Sequence, residues 1–428
     1  MAPFQKIKEK LKEIENNKAG RLAGKIGRFF DTEPQKEKVL RHEDFNAAGD
    51  VYYADVSVAY KIISRIIWLF FVFFLVFSII TNHRDITYEN FYYLFKDFSS
   101  AVDAGTSNYE TLSYDSDPRQ KFSLYRGGLA TVNPSTLSVY TATGRKTIRE
   151  NINYSSPHIV CSDKYVLVYD SSGTSFSVYN SFSRIFSDTL EYPITDACFA
   201  SNGRFAIVTR DADSKAVVYI YGKNFKKLAK YGYDEYAFDV AMSSERNLLM
   251  MLFYGEGDGV GRTELSLCKA DDLSEVGTMY FDGEFPIGAF FIEKNRVALI
   301  TDRMVRIFDE KMTEIESVEY LDSEMVDFYV DRDGFAVSTL KNAKNQLIVF
   351  DKNGKLVYNS YIKYNVMQIG LSEDFAFVNT GDGVARIYLK NGKDEFLPSD
   401  NGKLLVYSET TALVCGEARA EYLVFGKN

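Results

Sequence analysis

Histidine is nearly missing from this chain: there are three in 428 residues, and only His158 lies beyond position 83. A Ser-His-Asp triad or a histidine-rich metal centre therefore has little to draw on in the C-terminal three quarters. Cysteine is scarce too. Cys161, Cys198, Cys268 and Cys415 lie far apart, each inside an apolar strand-like run. No C-x-x-C or Cys/His spacing occurs, so the expectation is four free thiols acting as small apolar residues, with no metal site. An excess of positive charge is also absent. The formal net charge of -9 argues against non-specific nucleic-acid binding, which needs a cationic surface. The glycine-rich loop GEGDGVG (Gly255 to Gly261) lacks a Lys-Ser/Thr pair and a calcium-loop spacing. It reads as a hairpin tip. No motif calls for a cofactor.

What is present is unevenly placed. Residues 1–28 hold eight Lys or Arg against three Glu, whereas residues 108–428 hold 35 basic and 45 acidic side chains. Between these regions, Ile66 to Ile80 runs fifteen residues without a charge. Counted out from Tyr60 to Asn82, the segment is about 23 residues or roughly 34 Å of helix, enough to cross a ~30 Å hydrocarbon core. Lys61 and Arg65 sit at one end with Trp68 near them, as interfacial anchors do. About sixty residues precede it and no small-x-small cleavage site follows, which predicts a retained signal anchor. Twelve Lys or Arg lie on the N-terminal side through Lys61, against Arg84 and Lys96 between Asn82 and Ser107. That bias predicts a cytoplasmic N-terminus and an extracytoplasmic C-terminal part at the cell membrane.

The organisation expected is a basic tail (1–59), a transmembrane helix (60–82), a juxtamembrane helix and linker (83–107), and a β domain (108–428). In the tail, Phe4, Ile7, Leu11 and Ile14 recur at helical spacing with lysines between them. A short helix of that kind suits the inner leaflet or a partner. Residues 89–103 read as a second short amphipathic helix.

From there the pattern changes to short alternating strands. SPHIVCSDKYVLVY (Ser156 to Tyr169) and ITDACFASNGRFAIVT (Ile194 to Thr209) are successive copies of strand, tight turn, strand. Units begin near 121, 157, 194, 236, 285, 324, 365 and 402, a step of about 40 residues, the length of a four-stranded propeller blade. The fold class is therefore all-β, an eight-bladed β-propeller, or seven if an end unit is irregular. The last unit has three evident strands, and YETLSY (Tyr109 to Tyr114) belongs to no blade of its own. It should supply the missing outer strand and close the ring, since an open ring leaves exposed sheet edges.

Inter-blade connections and second-to-third-strand loops share one face of a propeller. Here they are rich in acids and tyrosine. Near the starts of the inner strands, His158, Asp196, Asp239, Asp327 and Gln368 fall in equivalent places, ringing the channel mouth. The Tyr233-Asp234-Glu235-Tyr236 connection lies on the same face. These nine residues are the candidate binding set, suited to a cationic protein segment, an amino sugar or a divalent ion. No catalytic residue is assigned, and an enzyme is not expected. Carboxylate pairs can hydrolyse glycosides without histidine, which keeps one enzymatic alternative in view.

The patterns SNGRFAIV, DRDGFAV and VFDKNGKLV make the repeat region resemble WD40-like and quinoprotein-like propellers. That resemblance implies a fold and no particular activity. Quinoprotein alcohol dehydrogenases carry a docking tryptophan in each blade, whereas the one tryptophan here is Trp68. The whole layout, with YENFYYLFKD after the anchor, also resembles a bacterial family of single-pass membrane-anchored propellers with no assigned activity. The function expected is a protein-interaction scaffold or recognition module at the cell envelope, with an unidentified protein partner and no nucleic acid. The alternative is an envelope ligand sensor or a glycan-acting enzyme using propeller-face carboxylates.

Overall fold

A computed structural model describes residues 47–81 and 111–426, apart from 143, 244, 245, 294, 295 and 321. The chain divides into two compact units, Met1–Ser107 and Asn108–Asn428. In the first, helix α1 (Ala47–Thr81) is 35 residues long. It begins at Ala47, well before the expected Tyr60. No proline occurs between Pro34 and Pro118 to stop it. Its stretch Tyr60–Phe77 is long and apolar enough to cross a membrane. Trp68, Phe70, Phe73 and Phe74 each leave 66–68% of their surface uncovered. The amphipathic segment at 4–14 and the juxtamembrane helix at 89–103 lie outside the described residues.

The second unit is an eight-bladed β-propeller. Seven four-stranded antiparallel sheets follow in chain order: residues 121–151 (blade 1), 157–189 (blade 2), 194–233 (blade 3), 236–282 (blade 4), 286–319 (blade 5), 324–362 (blade 6) and 368–398 (blade 7). Their first strands start within three residues of the expected positions. Blade 8 joins Lys403–Ser408, Thr411–Cys415 and Arg419–Val424 to the N-terminal strand Leu112–Ser113. Leu112 pairs with Ala420 and Ser113 with Arg419. The outer strand of the last blade thus comes from the start of the domain, and the ring is clasped by its own two ends.

Burial explains why these sequences make blades. Second strands such as Val166–Asp170, Phe205–Thr209 and Thr411–Cys415 are buried at every position. Each blade is flanked by a neighbour on either face, so its central strands are buried on both sides and read as continuous apolar runs. Fourth strands, such as Glu314–Glu319, are largely exposed at the rim. The core lies between blades. Ala298, Ile300, Val305 and Ile307 of blade 5 pack on Phe335, Val337, Ile348 and Phe350 of blade 6. Cross-strand aromatic pairs hold the register, with Phe205 on Tyr221 and Phe335 on Phe350 both stacked at 4.6 Å. At the clasp, Leu112 and Tyr114 fill a cluster with Leu129 and Tyr140 of blade 1 and Leu413 of blade 8. All four cysteines are free.

Candidate functional site

The first strand of each blade lines the channel. In blades 3, 4, 5 and 6 that strand carries a β-bulge just before one position: Asp196, Asp239, Gly288 and Asp327. A bulge re-aims the side chain that follows it, and here it turns carboxylates towards the neighbouring blade. Asp239 Oδ2 accepts the backbone N–H of Ala289 at 3.1 Å, from blade 4 to blade 5. Asp327 Oδ2 accepts Ile369 N–H at 2.8 Å, from blade 6 to blade 7. Gln368 Oε1 accepts Leu404 N–H at 2.8 Å, from blade 7 to blade 8. Three of the predicted ring residues are therefore links between successive inner strands. A Cβ on Gly288 would press on the Phe328 ring at 3.1 Å and only touch Asp239 Oδ2, at 3.6 Å, so it is the ring that the glycine spares.

Asp196 accepts its neighbour Ala197 N–H at 2.8 Å and the Tyr169 hydroxyl at 3.4 Å. Burial and the negative charge of Asp239 push its carboxyl up to about 7, against the pull of N–H groups from Ala197 and Val240. Burial raises Asp239 to about 6. It also raises Asp327, with Lys403 opposing. His158 lies over Tyr169 at 5.3 Å. Its Nε2 is 2.5 Å from Lys121 Nζ, and its Nδ1 is 3.2 Å from Ser156 O. An ammonium can only donate, so Nε2 accepts and the ring proton sits on Nδ1, donating to Ser156. Burial and the Lys121 charge hold the imidazole below its usual pKa.

The Tyr233–Tyr236 connection divides into two parts. Tyr233 packs against Phe253 at 5.0 Å. Tyr236 stands out from the surface, with Arg210 and Lys215 each 5.4 Å from its ring centre. Asp234 is exposed and Glu235 half-buried. Beside them rises a tall hairpin. The middle strands of blade 4, Leu248–Gly257 and Val260–Lys269, are ten residues each, against five in blade 2. Asp258 (φ 51°) and Gly259 (φ 77°) both take positive φ at its tip, as a two-residue type I′ turn requires. Three contacts tie the tip to the connection into blade 5. Gly283 N–H donates to Gly261 O at 2.7 Å, Thr263 Oγ1 to Glu284 O at 2.7 Å, and Arg262 Nε to Asp282 Oδ1 at 2.6 Å.

This framing fixes a group of aromatic residues that sequence reasoning did not assemble. Phe285 meets Phe238 edge-on at 5.7 Å and Tyr254 at 4.9 Å. Tyr236, Phe238, Val260 and Phe285 are each 42–51% exposed. Phe238 immediately precedes Asp239, so the patch reaches the channel rim. The bulge between Ala237 and Asp239 is what separates Phe238 from the strand alternation, and a one-residue slip of that kind leaves no mark in composition. Glu284, one residue before Phe285, points the other way: Arg306 grips it with two hydrogen bonds of 2.6 Å. Among the described residues no group of three or more metal-ligating side chains comes together.

Residues 104–416 match the model of a family described as a family of unknown function (DUF5711). The chain belongs to that family. The match begins within the link to the propeller, so α1 and the YENFYYLFKD stretch fall outside it. Among solved structures, this DUF5711 propeller is similar to BamB from Moraxella catarrhalis (TM-score 0.51, 10% identity, covering 74% of this chain and 99% of that one). It is also similar to Sqt1 from Saccharomyces cerevisiae (0.53, 8% identity, 70% and 93%) and to a eukaryotic initiation factor (0.53, 12% identity, 73% and 85%). Identities this low speak for the fold alone. No curated protein matches the chain by sequence.

Proposed function

We propose that this protein is a membrane-anchored interaction module of the cell envelope, whose propeller binds a protein segment on the channel-mouth face. The observation that carries this reading is the exposed aromatic trio Tyr236, Phe238 and Phe285, packed around a half-buried Tyr254 and framed by the tall blade 4 hairpin. Aromatic anchors on a fixed frame are what interface hot spots use, because little side-chain entropy is lost on binding. Asp234, Glu235 and Glu256 lie on the connection and hairpin that carry the group, with Asp258 and Asp282 taken up by Arg262, and the first three favour a segment carrying Lys or Arg among apolar residues. Helix α1 is the anchor in this reading. The lysine-rich side before it faces the cytoplasm and the propeller lies outside.

The reading is non-enzymatic. Asp239 and Asp327 each give a carboxylate oxygen to a neighbouring blade, and His158 is engaged on both ring nitrogens. These commitments support structural rather than acid–base roles. A glycan-acting enzyme would need two carboxylates free to face a scissile bond.

The test is site-specific photocrosslinking in intact cells, with the probe at Phe285 or Tyr236 and a control probe at Lys352 in the third-to-fourth-strand turn of blade 6. A discrete protein adduct at the first two positions, weakened by Asp234→Asn with Glu235→Gln, is the expected result. Equal adducts at all three positions would contradict the reading. Protease shaving of cells with a C-terminal tag checks the side: tag loss without lysis is expected, and protection until lysis would put the propeller in the cytosol.

A further inference from the structure

Charge is divided unequally round the ring. Blades 1–3 (residues 121–233) carry 14 basic and 8 acidic side chains, whereas residues 234–428 carry 20 and 34. The basic excess gathers on the outer strand of blade 3 and the turn before it. Lys223, Lys226, Lys227 and Lys230 fall within a run that contains no acid, and all four are exposed. Among the described residues Lys230 meets Asp211 at 3.7 Å, and the other three meet no carboxylate. The corresponding turns elsewhere differ. Blade 4 carries Asp271 and Asp272 there, and blade 5 carries Asp309 and Glu310. In blades 6 and 7, Lys352 is paired with Glu293 and Lys390 with Asp374. Apolar groups stand among the blade 3 lysines. A bulge between Lys227 and Ala229 takes Leu228 out of the strand alternation. Leu228 is 53% exposed and Tyr231 50%. The turn itself is well anchored: Phe225 (φ 61°) stacks on Phe186 of blade 2 at 5.5 Å and meets Tyr165 edge-on at 5.4 Å.

The third-to-fourth-strand turns lie on the face opposite the channel mouth, since second-to-third loops and inter-blade connections occupy the other. Leu112–Ser113 takes the fourth-strand place in blade 8, so it runs from the turn face towards the channel mouth. The chain therefore enters the propeller on the turn face, the face that bears Lys223 and Lys226. On the anchor reading of α1 proposed above, the tether from the bilayer arrives on that same face. We infer that the blade 3 rim docks on anionic phospholipid headgroups of this bilayer, its lysines meeting phosphates and Leu228 entering the headgroup layer. The lysines are spread along turn and strand with no common focus, which suits a plane of charge better than a single ligand. Leu228 and Tyr231 stand beside them, as apolar groups do where a surface enters a lipid interface while ammonium groups stay at headgroup level. Docked in this way, the propeller turns its channel-mouth face and the aromatic trio away from the membrane. The inference takes its source of lipid from the anchor reading; the basic rim stands independently of it.

The test uses the full chain in vesicles of phosphatidylcholine, alone or mixed with phosphatidylglycerol. A fluorophore on Leu228→Cys is read for quenching by lipids spin-labelled at the headgroup, and one on Asp258→Cys reports the channel-mouth face. Parent chain treated with the same reagent gives the background from the native thiols. Quenching is expected at position 228, with phosphatidylglycerol present, and not at position 258. Lys223→Gln and Lys226→Gln should each lower the ratio of docked to undocked propeller about fivefold, and the triple variant with Lys227→Gln should abolish the quenching. All three side chains are exposed, so these variants should fold as the parent does, checked by melting midpoint. Molar salt should release the rim without any substitution. The inference is overturned if positions 228 and 258 are quenched equally, if both lipid mixtures give the same quenching, or if neither the triple variant nor salt reduces it. It is also overturned if quenching is absent while a photoprobe at Lys223 gives a discrete protein adduct in cells, which would assign the rim to an acidic protein. Flotation of the chain with vesicles in molar salt reads the anchor separately: its loss would remove α1 as the anchor, and quenching in the phosphatidylglycerol vesicles would still decide the rim.

Discussion

The carboxylate of Asp239 is bonded to the backbone N–H of Ala289, one blade further round the ring. The same relation joins Asp327 to Ile369 and Gln368 to Leu404. Inner strands of a propeller are not paired with one another, so their channel-facing N–H groups need side chains or water. Asp239→Ala leaves the Ala289 N–H without its acceptor and should cost about 1–3 kcal/mol of unfolding free energy. Asp239→Asn keeps an acceptor and should cost less. Urea denaturation of the full chain in detergent reads both. Equal stability of the alanine variant and the parent would mean that water replaces the link at no cost.

The pH dependence of stability follows from Asp196. Its folded pKa of about 7 lies above the ordinary 3.8, raised by burial and by Asp239. A raised carboxyl favours the folded state fully below the unfolded pKa, and this contribution fades as pH climbs through the folded value. Stability should therefore fall between about pH 4 and pH 7, with Asp239 adding to the same slope. Asp196→Asn should flatten the curve over that window. A curve that rises there in the parent would contradict this assignment.

Much of this was legible in the sequence, and the reasons differ from part to part. Blade count and blade starts could be read because each unit repeats strand, turn and strand at a fixed step, and inter-blade burial forces the same apolar runs on every copy. The clasp at Leu112 could be inferred from a missing strand at the far end. The ring positions of Asp196, Asp239 and Asp327 were also visible. Their bonding was not, because it depends on bulges that shift a strand by one residue. For the same reason Phe238 and Tyr254 escaped notice: their proximity to Phe285 arises from the bulge and from a hairpin leaning across a blade boundary. The seam between blades 8 and 1 joins residues some 300 positions apart, as Leu112 and Ala420 are, and no local pattern announces which side chains meet there.

Closure rests on a short strand, which makes Leu112 a sensitive position. It is buried against Leu129, Tyr140 and Leu413, beside a Tyr114 hydroxyl that donates to Gly416 O at 2.7 Å. Leu112→Ala should cost about 2–5 kcal/mol, as buried leucines do, and expose the edge of Arg419–Val424 to association. Leu112→Met, which keeps volume, should cost under about 1.5 kcal/mol. Melting and size-exclusion profiles together distinguish the two. An alanine variant as stable and monodisperse as the parent would show that the ring closes without this contact.

The Glu284–Arg306 pair should behave as a buried unit. Both side chains are 11% exposed. The carboxylate also accepts Thr301 Oγ1 at 2.7 Å, and the guanidinium lies 4.5 Å from the Phe281 ring centre. Burial alone would raise Glu284; hydrogen bonds from Arg306 and Thr301 outweigh it and hold the carboxyl below its usual range. Its contribution is present above the ordinary glutamate pKa and is lost as pH falls through the depressed value, opposite in sign to Asp196. Arg306→Met strands a buried carboxylate and should cost about 3–5 kcal/mol. Adding Glu284→Leu removes that stranded charge, so the double variant should recover part of the loss. A double-mutant cycle in urea measures the coupling. Strictly additive losses would mean that solvent reaches the pair and that each side chain acts alone.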